Sequence, residues 1–180
     1  STASTPVKKS VLQAFMIAGD RERVFAAAKG EANPALRETA IELLGVMGAR
    51  ADLAAMYAGE TSKSARETIL QALFIAGDTD RLAALAKSEK DRDLRVQAIR
   101  NLALTGSKST PSLLALYASE SDLEIREAVI DGLFVQGNAR ALIDLSKKET
   151  DRRLKREILE KLSIMDSDEA AKYMLEILDE

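Results

Sequence analysis

The sequence predicts an all-α protein: an α-solenoid, an alpha-alpha superhelix of six stacked helical hairpins with about twelve helices in all. Three observations carry that prediction. One helical pattern recurs six times at a near-constant interval; a short polar side chain opens each copy and a glycine closes the first helix of five. Each copy is also too small to bury its apolar faces alone, so neighbours must stack on one another.

The apolar residue that opens each pattern is Val7, Leu36, Ala65, Leu94, Ile125 and Leu154, at intervals of 29, 29, 29, 31 and 29 residues. The units run about 4–32, 33–61, 62–90, 91–121, 122–150 and 151–180. Residues 6–180 therefore read as one repeat domain, and the small, polar 1–5 as a linker or processed end. Three residues before each opening position stands Ser4, Asn33, Ser62, Asp91, Asp122 or Asp151. These side chains accept hydrogen bonds from the free N–H groups of a first helical turn, so the column reads as N-caps.

Counting from the opening residue, offsets 4, 5 and 8 are apolar in every copy, which makes one buried helical face. At offset 12 come Gly19, Gly48, Gly77, Gly106 and Gly137, with Asp166 in the last copy, marking where the first helix stops and turns back. The second helix carries Leu53 with Met56, Leu82 with Leu85, Leu113 with Leu116 and Leu142 with Leu145, then meets Glu31, Glu60, Glu89, Glu120 or Glu149 before the next cap. The 31-residue interval places two extra residues in Ser107-Lys108-Ser109-Thr110-Pro111. Thr110 as N-cap with Pro111 after it predicts an orderly, protruding turn.

The pattern Asp91, Leu94, Arg95, Ala98, Ile99, Leu102, Gly106 resembles HEAT-type repeats, particularly the short variety of phycobilisome-lyase-like bacterial proteins. The resemblance covers all six units. It implies a right-handed superhelix with first helices on the convex side and second helices on the concave side. It also implies ladders between neighbours, supplied here by Asn33, Asp91, Asp122 and Asp151 with Arg37, Arg66, Arg95 and Arg126. It brings no catalytic motif, because such repeats are scaffolds for many activities.

Odd and even units differ in a regular way. At offset 9 the odd units have Met16, Phe74 and Phe134 and the even ones Gly45, Ala103 and Ser163; late in the second helix the odd units have Ala28, Ala86 and Ser146 and two even ones Tyr57 and Tyr117. Lys29, Lys87 and Lys147 follow in the odd units, opposed by Ala58 and Ala118. One reading is complementary volume across successive interfaces. The other makes Lys29, Tyr57, Lys87, Tyr117 and Lys147 a contact stripe for a partner in the concave groove.

The chain has no His and no Cys, and neither Asp78 with Asp80 nor Asp166 with Asp168 has the glycine and downstream glutamate of a calcium loop. No enzyme activity, cofactor or metal is expected. A net charge of −3, no Trp and a column of glutamates argue against nucleic acid, and no apolar run reaches the ~20 residues of a membrane span. The last unit reads as a polar terminus, whereas Phe15, Met16 and Phe25 form an apolar end patch suited to self-association or an upstream neighbour. The expected function is a non-catalytic scaffold that binds a protein or peptide on its concave face. The alternative is a structural spacer or regulatory domain of a larger bacterial protein, with no ligand of its own.

Overall fold

The computed structural model describes residues 3–179, and among them there are twelve α-helices and no strand. They are α1 (Thr5–Ile17), α2 (Arg21–Gly30), α3 (Pro34–Val46), α4 (Arg50–Gly59), α5 (Lys63–Ile75), α6 (Thr79–Ser88), α7 (Arg92–Leu104), α8 (Thr110–Ser119), α9 (Leu123–Val135), α10 (Ala139–Lys148), α11 (Arg152–Ser163) and α12 (Asp168–Leu178). None is long and apolar enough to cross a membrane. The contacts define two compact units, residues 1–82 and 83–180, with the division inside α6. In the first, α1, α3 and α5 pack side by side while α2 lies against α1 and α3, and α4 against α3 and α5. In the second, α7, α9 and α11 form the row, α8 lies against α7 and α9, and α10 against α9 and α11.

The cap column does what its side chains allow. Asp91 Oδ1 accepts from the N–H groups of Asp93 and Leu94 at 3.0 and 3.1 Å, Asp122 and Asp151 repeat the pair, and Asn33 and Ser62 cap in the same place. Ser4 flanks its helix without a side-chain bond, and α1 already includes Thr5, inside the segment expected to be linker. At the other end, Gly19, Gly48, Gly77, Gly106 and Gly137 all have φ between +66° and +86°, a conformation that costs an L-residue with a Cβ ~1 kcal/mol or more. The α9 end shows why it is needed: Asn138 N–H returns to Leu133 O at 3.0 Å and Gly137 N–H to Phe134 O at 2.8 Å, which satisfies the orphan carbonyls.

Offsets 0, 4, 5 and 8 form the core: Leu36, Ala40, Ile41 and Leu44 in α3 and Ile125, Val129, Ile130 and Leu133 in α9 are all buried. In α1, Val7 and Val11 hold two of these positions but are exposed, because no preceding hairpin packs on them among the described residues. Helix rows approach closely at small residues. A Cβ on Gly45 would lie 2.9 Å from the Ala72 backbone, and one on Gly132 would lie 3.0 Å from the Ala103 Cβ.

The lengthened turn is not a free protrusion. Ser107–Ser109 forms a 3₁₀ turn with Ser109 fully buried, and Thr110 is the first residue of α8, not its cap. Gln136 Nε2 shares its two hydrogens among Ala103 O, Gly106 O and Ser109 Oγ at 3.0, 2.9 and 2.8 Å, while its Oε1 accepts from the Thr110 hydroxyl at 2.7 Å. One amide side chain thus satisfies the polar groups that the two extra residues expose.

A candidate protein-binding face

The residues proposed for a contact stripe separate into two sets. Tyr57 and Tyr117 are only 5% and 4% exposed, so they cannot line a surface. The Arg66 guanidinium lies 4.5 Å from the Tyr57 ring centroid, and that of Arg126 4.2 Å from Tyr117. The Tyr117 hydroxyl donates to Glu149, which also pairs with Arg126. Where the preceding unit has alanine, the arginine changes partner: Arg37 Nε donates to Ala28 O and Arg95 Nε to Ala86 O, both at 2.9 Å. The two-unit alternation is therefore internal, switching each arginine between a carbonyl and an aromatic face.

The second correction concerns the ladder. Arg37, Arg95 and Arg126 reach the glutamate that ends their own unit's second helix, Glu60, Glu120 and Glu149, and not a cap acid. The other oxygen of each glutamate accepts the next two backbone N–H groups, as Glu120 does from Ser121 and Asp122 at 2.8 and 2.9 Å. For all three, burial alone would raise the carboxyl's proton affinity, but these bonds hold it below the ordinary carboxylate range. Of the cap acids, Asp122 does pair across to the preceding unit, with Arg92 at 3.0 Å.

Lys29, Lys87 and Lys147 are exposed, with Lys29 over Phe25 and Lys147 over Tyr173. Phe15, Met16 and Phe25 are half-buried, and Arg23 covers the Phe15 ring at 5.1 Å. The last unit exposes Lys172, Glu176 and Asp179 as expected, and beside them Leu175 and Leu178 on α12 are largely exposed.

The surface that remains was not singled out from the sequence. At offset 10 stand Ile17, Val46, Ile75, Leu104, Val135 and Ile164, and all six are exposed, by 45–81%. At 3.6 residues per turn this offset faces away from offsets 4, 5 and 8, so it has no place in the core. The return bonds at the ends of α1, α3, α5 and α9 run from offsets 12 and 13 to 9 and 8, which leaves offset 10 out of the closing motif there; at the end of α11 the Ile164 N–H itself returns to Lys161 O at 3.3 Å while its side chain stays exposed. In the first unit Ile17, Val46 and Ile75 lie at the ends of α1, α3 and α5; in the second Leu104, Val135 and Ile164 lie at those of α7, α9 and α11. The spacing of packed helices puts ~8–10 Å between neighbours in each row.

Between α7 and α9 this column borders a groove of about 440 Å³ lined by Ala103, Leu104, Gly132, Phe134 and Val135. Arg100 stands at its rim and makes no ion pair among the described residues, and Lys161, held by Asp131 at 2.6 Å, lies 5.3 Å above the Phe134 ring. The bond to Asp131, ahead of the desolvation that opposes it, raises the Lys161 ammonium above its ordinary range. The groove can take aliphatic side chains out of water; its walls hold neither a hydroxyl nor a thiol nucleophile. No protein-family model matches the chain, and no curated protein matches its sequence.

Proposed function

We propose that this chain is a non-catalytic protein-interaction module that seats partner segments on the exposed aliphatic ends of its first helices, each compact unit taken by itself, with the α7–α9 groove beside those of the second. One observation carries the reading: all six repeats keep Ile, Val or Leu at a solvent-facing position whose side chain the core does not use. Exposing that much aliphatic surface without a partner costs solubility, and contiguous exposed apolar residues mark contact surfaces. The resemblance to HEAT-type repeats, proposed on the sequence pattern, agrees with a scaffold role. A photoreactive side chain placed at Val46 or Val135 in cells is expected to give one discrete adduct, lost on Leu104→Asp for the Val135 probe, with thermal stability unchanged. Equal labelling from a probe at the exposed Glu124, or none from the column, would favour a spacer without a ligand.

A further inference from the structure

The turn between α10 and α11 carries an unusual charge distribution. Within residues 147–156, Lys147, Lys148, Arg152, Arg153, Lys155 and Arg156 are all exposed. Of the two acids of the stretch, Glu149 is buried and Asp151 is half-buried as the cap of α11. Glu149, with a side chain 2% exposed, is bound by Arg126, Tyr117 and the N–H groups of Thr150 and Asp151. Asp151 is occupied by the N–H groups of Arg153 and Leu154 at 2.9 and 3.0 Å.

Three of the six cations have other company: Lys147 lies over Tyr173, Arg153 pairs with Glu127 at 2.6 Å, and Arg156 with Glu160 at 3.5 Å. Lys148, Arg152 and Lys155 make no ion pair among the described residues. Their placement also opposes local stability. The first turn of α11 holds Arg152 and Arg153 and, like those of α1, α3, α5 and α10, no acid. Cations at a helix N-terminus face the positive end of the backbone dipole.

We infer that this junction binds a short acidic segment of a partner protein through Lys148, Arg152 and Lys155. Charge complementarity points to an anionic occupant, and two observations select its class. Among the described residues, the rings beside the stretch, Tyr117 and Tyr173, are both buried and lie under Arg126 and Lys147, so bases of a nucleic acid find no stacking surface. The whole chain carries −3 despite this basic cluster, so the rest of its surface repels an extended polyanion, while a short segment meets only the cations.

The test measures fluorescence anisotropy of a labelled peptide alternating Glu and Ala, with its Gln-Ala counterpart, a thymidine oligonucleotide of equal charge and phosphatidylserine vesicles as rivals. The Glu peptide is expected to bind, more weakly as salt rises, and to lose roughly tenfold or more in affinity on Arg152→Glu with Lys155→Glu. Those substitutions put acids where the helix dipole favours them, so the melting temperature holds or rises and unfolding cannot account for the loss. Lys108→Glu, on the exposed 3₁₀ turn, leaves binding unchanged. Tighter binding of the oligonucleotide or vesicles, equal binding of the Gln peptide, or no effect of the double reversal overturns the inference. Because the site shares no residue with the aliphatic column, this result and the cross-linking result stand or fall separately.

Discussion

Replacing Tyr117 with Phe isolates one bond in the arginine–aromatic alternation. The ring stays under Arg126, so packing and the cation–π contact are kept, and only the hydroxyl that donates to Glu149 is lost. A hydrogen bond to a buried charged group contributes about 1.5–3 kcal/mol. Glu149 keeps Arg126 at 2.5 Å and the Thr150 and Asp151 N–H groups at 2.9 and 2.8 Å, so it is not orphaned and the lower end of that range applies. About 1.5 kcal/mol corresponds to a fall of roughly 3–6 °C in melting temperature for a chain of this size. The pH dependence supplies an independent check. Burial alone would raise the Glu149 carboxyl, but the Tyr117 hydroxyl, the Asp151 N–H, Arg126 and the Thr150 N–H outweigh it and hold it low. A carboxyl depressed on folding stabilises above its unfolded value, near 4.3, and that contribution is lost as pH falls through the folded value. Burial and then the bond to Glu149 push the Tyr117 hydroxyl up, so it stays protonated throughout this window. Urea denaturation followed by far-UV circular dichroism should therefore show a gap between native and Tyr117→Phe that is full at neutral pH and shrinks below about pH 4. Equal stability at neutral pH, or a gap that does not shrink in acid, would refute the account of this column.

Three further substitutions test other joints of the fold by the same denaturation assay. Gly45→Ala places a Cβ 2.9 Å from the Ala72 backbone and should destabilise by about 1–3 kcal/mol despite alanine's better helix propensity, whereas Gly59→Ala, which meets nothing within 4 Å, should stabilise by about 0.5 kcal/mol. Gln136→Ala strips a partner from two carbonyls and the buried Ser109 hydroxyl at once and should cost about 1–3 kcal/mol, with faster amide exchange confined to residues 105–110. Leu133→Ala, at a fully buried core position, should cost about 2–5 kcal/mol.

The hairpin architecture was legible because helix caps, closing glycines and apolar faces are set by local physics that repeats with the sequence. Asp122, Gly137 and the set Val129, Ile130 and Leu133 do in the structure what their residue types require. The tyrosines admitted two readings, packing or a contact stripe, because an alternation reveals that two columns covary but not which way either points; their burial fits the packing reading. Arg126 follows Tyr117 and Arg95 follows Ala86, so the constant arginine was the signal that the alternating residue faces it and not solvent. Gln136 escaped notice for the opposite reason: it occurs once, opposite the one irregular interval, and a repeat comparison discards what does not recur.

The aliphatic column was present in the sequence as plainly as the core, since all six units are apolar at offset 10. Apolar periodicity is ordinarily taken for burial, and only the angular position of that offset separates Val135 from Leu133, two residues away and fully buried. The distinction decides where binding can occur. Charges that recur in the repeat are consumed within it: Glu60, Glu120 and Glu149 hold arginines and turn N–H groups, and the cap acids hold helix starts. Among the features left exposed are the aliphatic residues at the ends of the first helices and the cations Lys148, Arg152 and Lys155 between α10 and α11. A partner that uses both would pair an apolar anchor with an acidic flank, and removing either feature alone should weaken it without disturbing the hairpins.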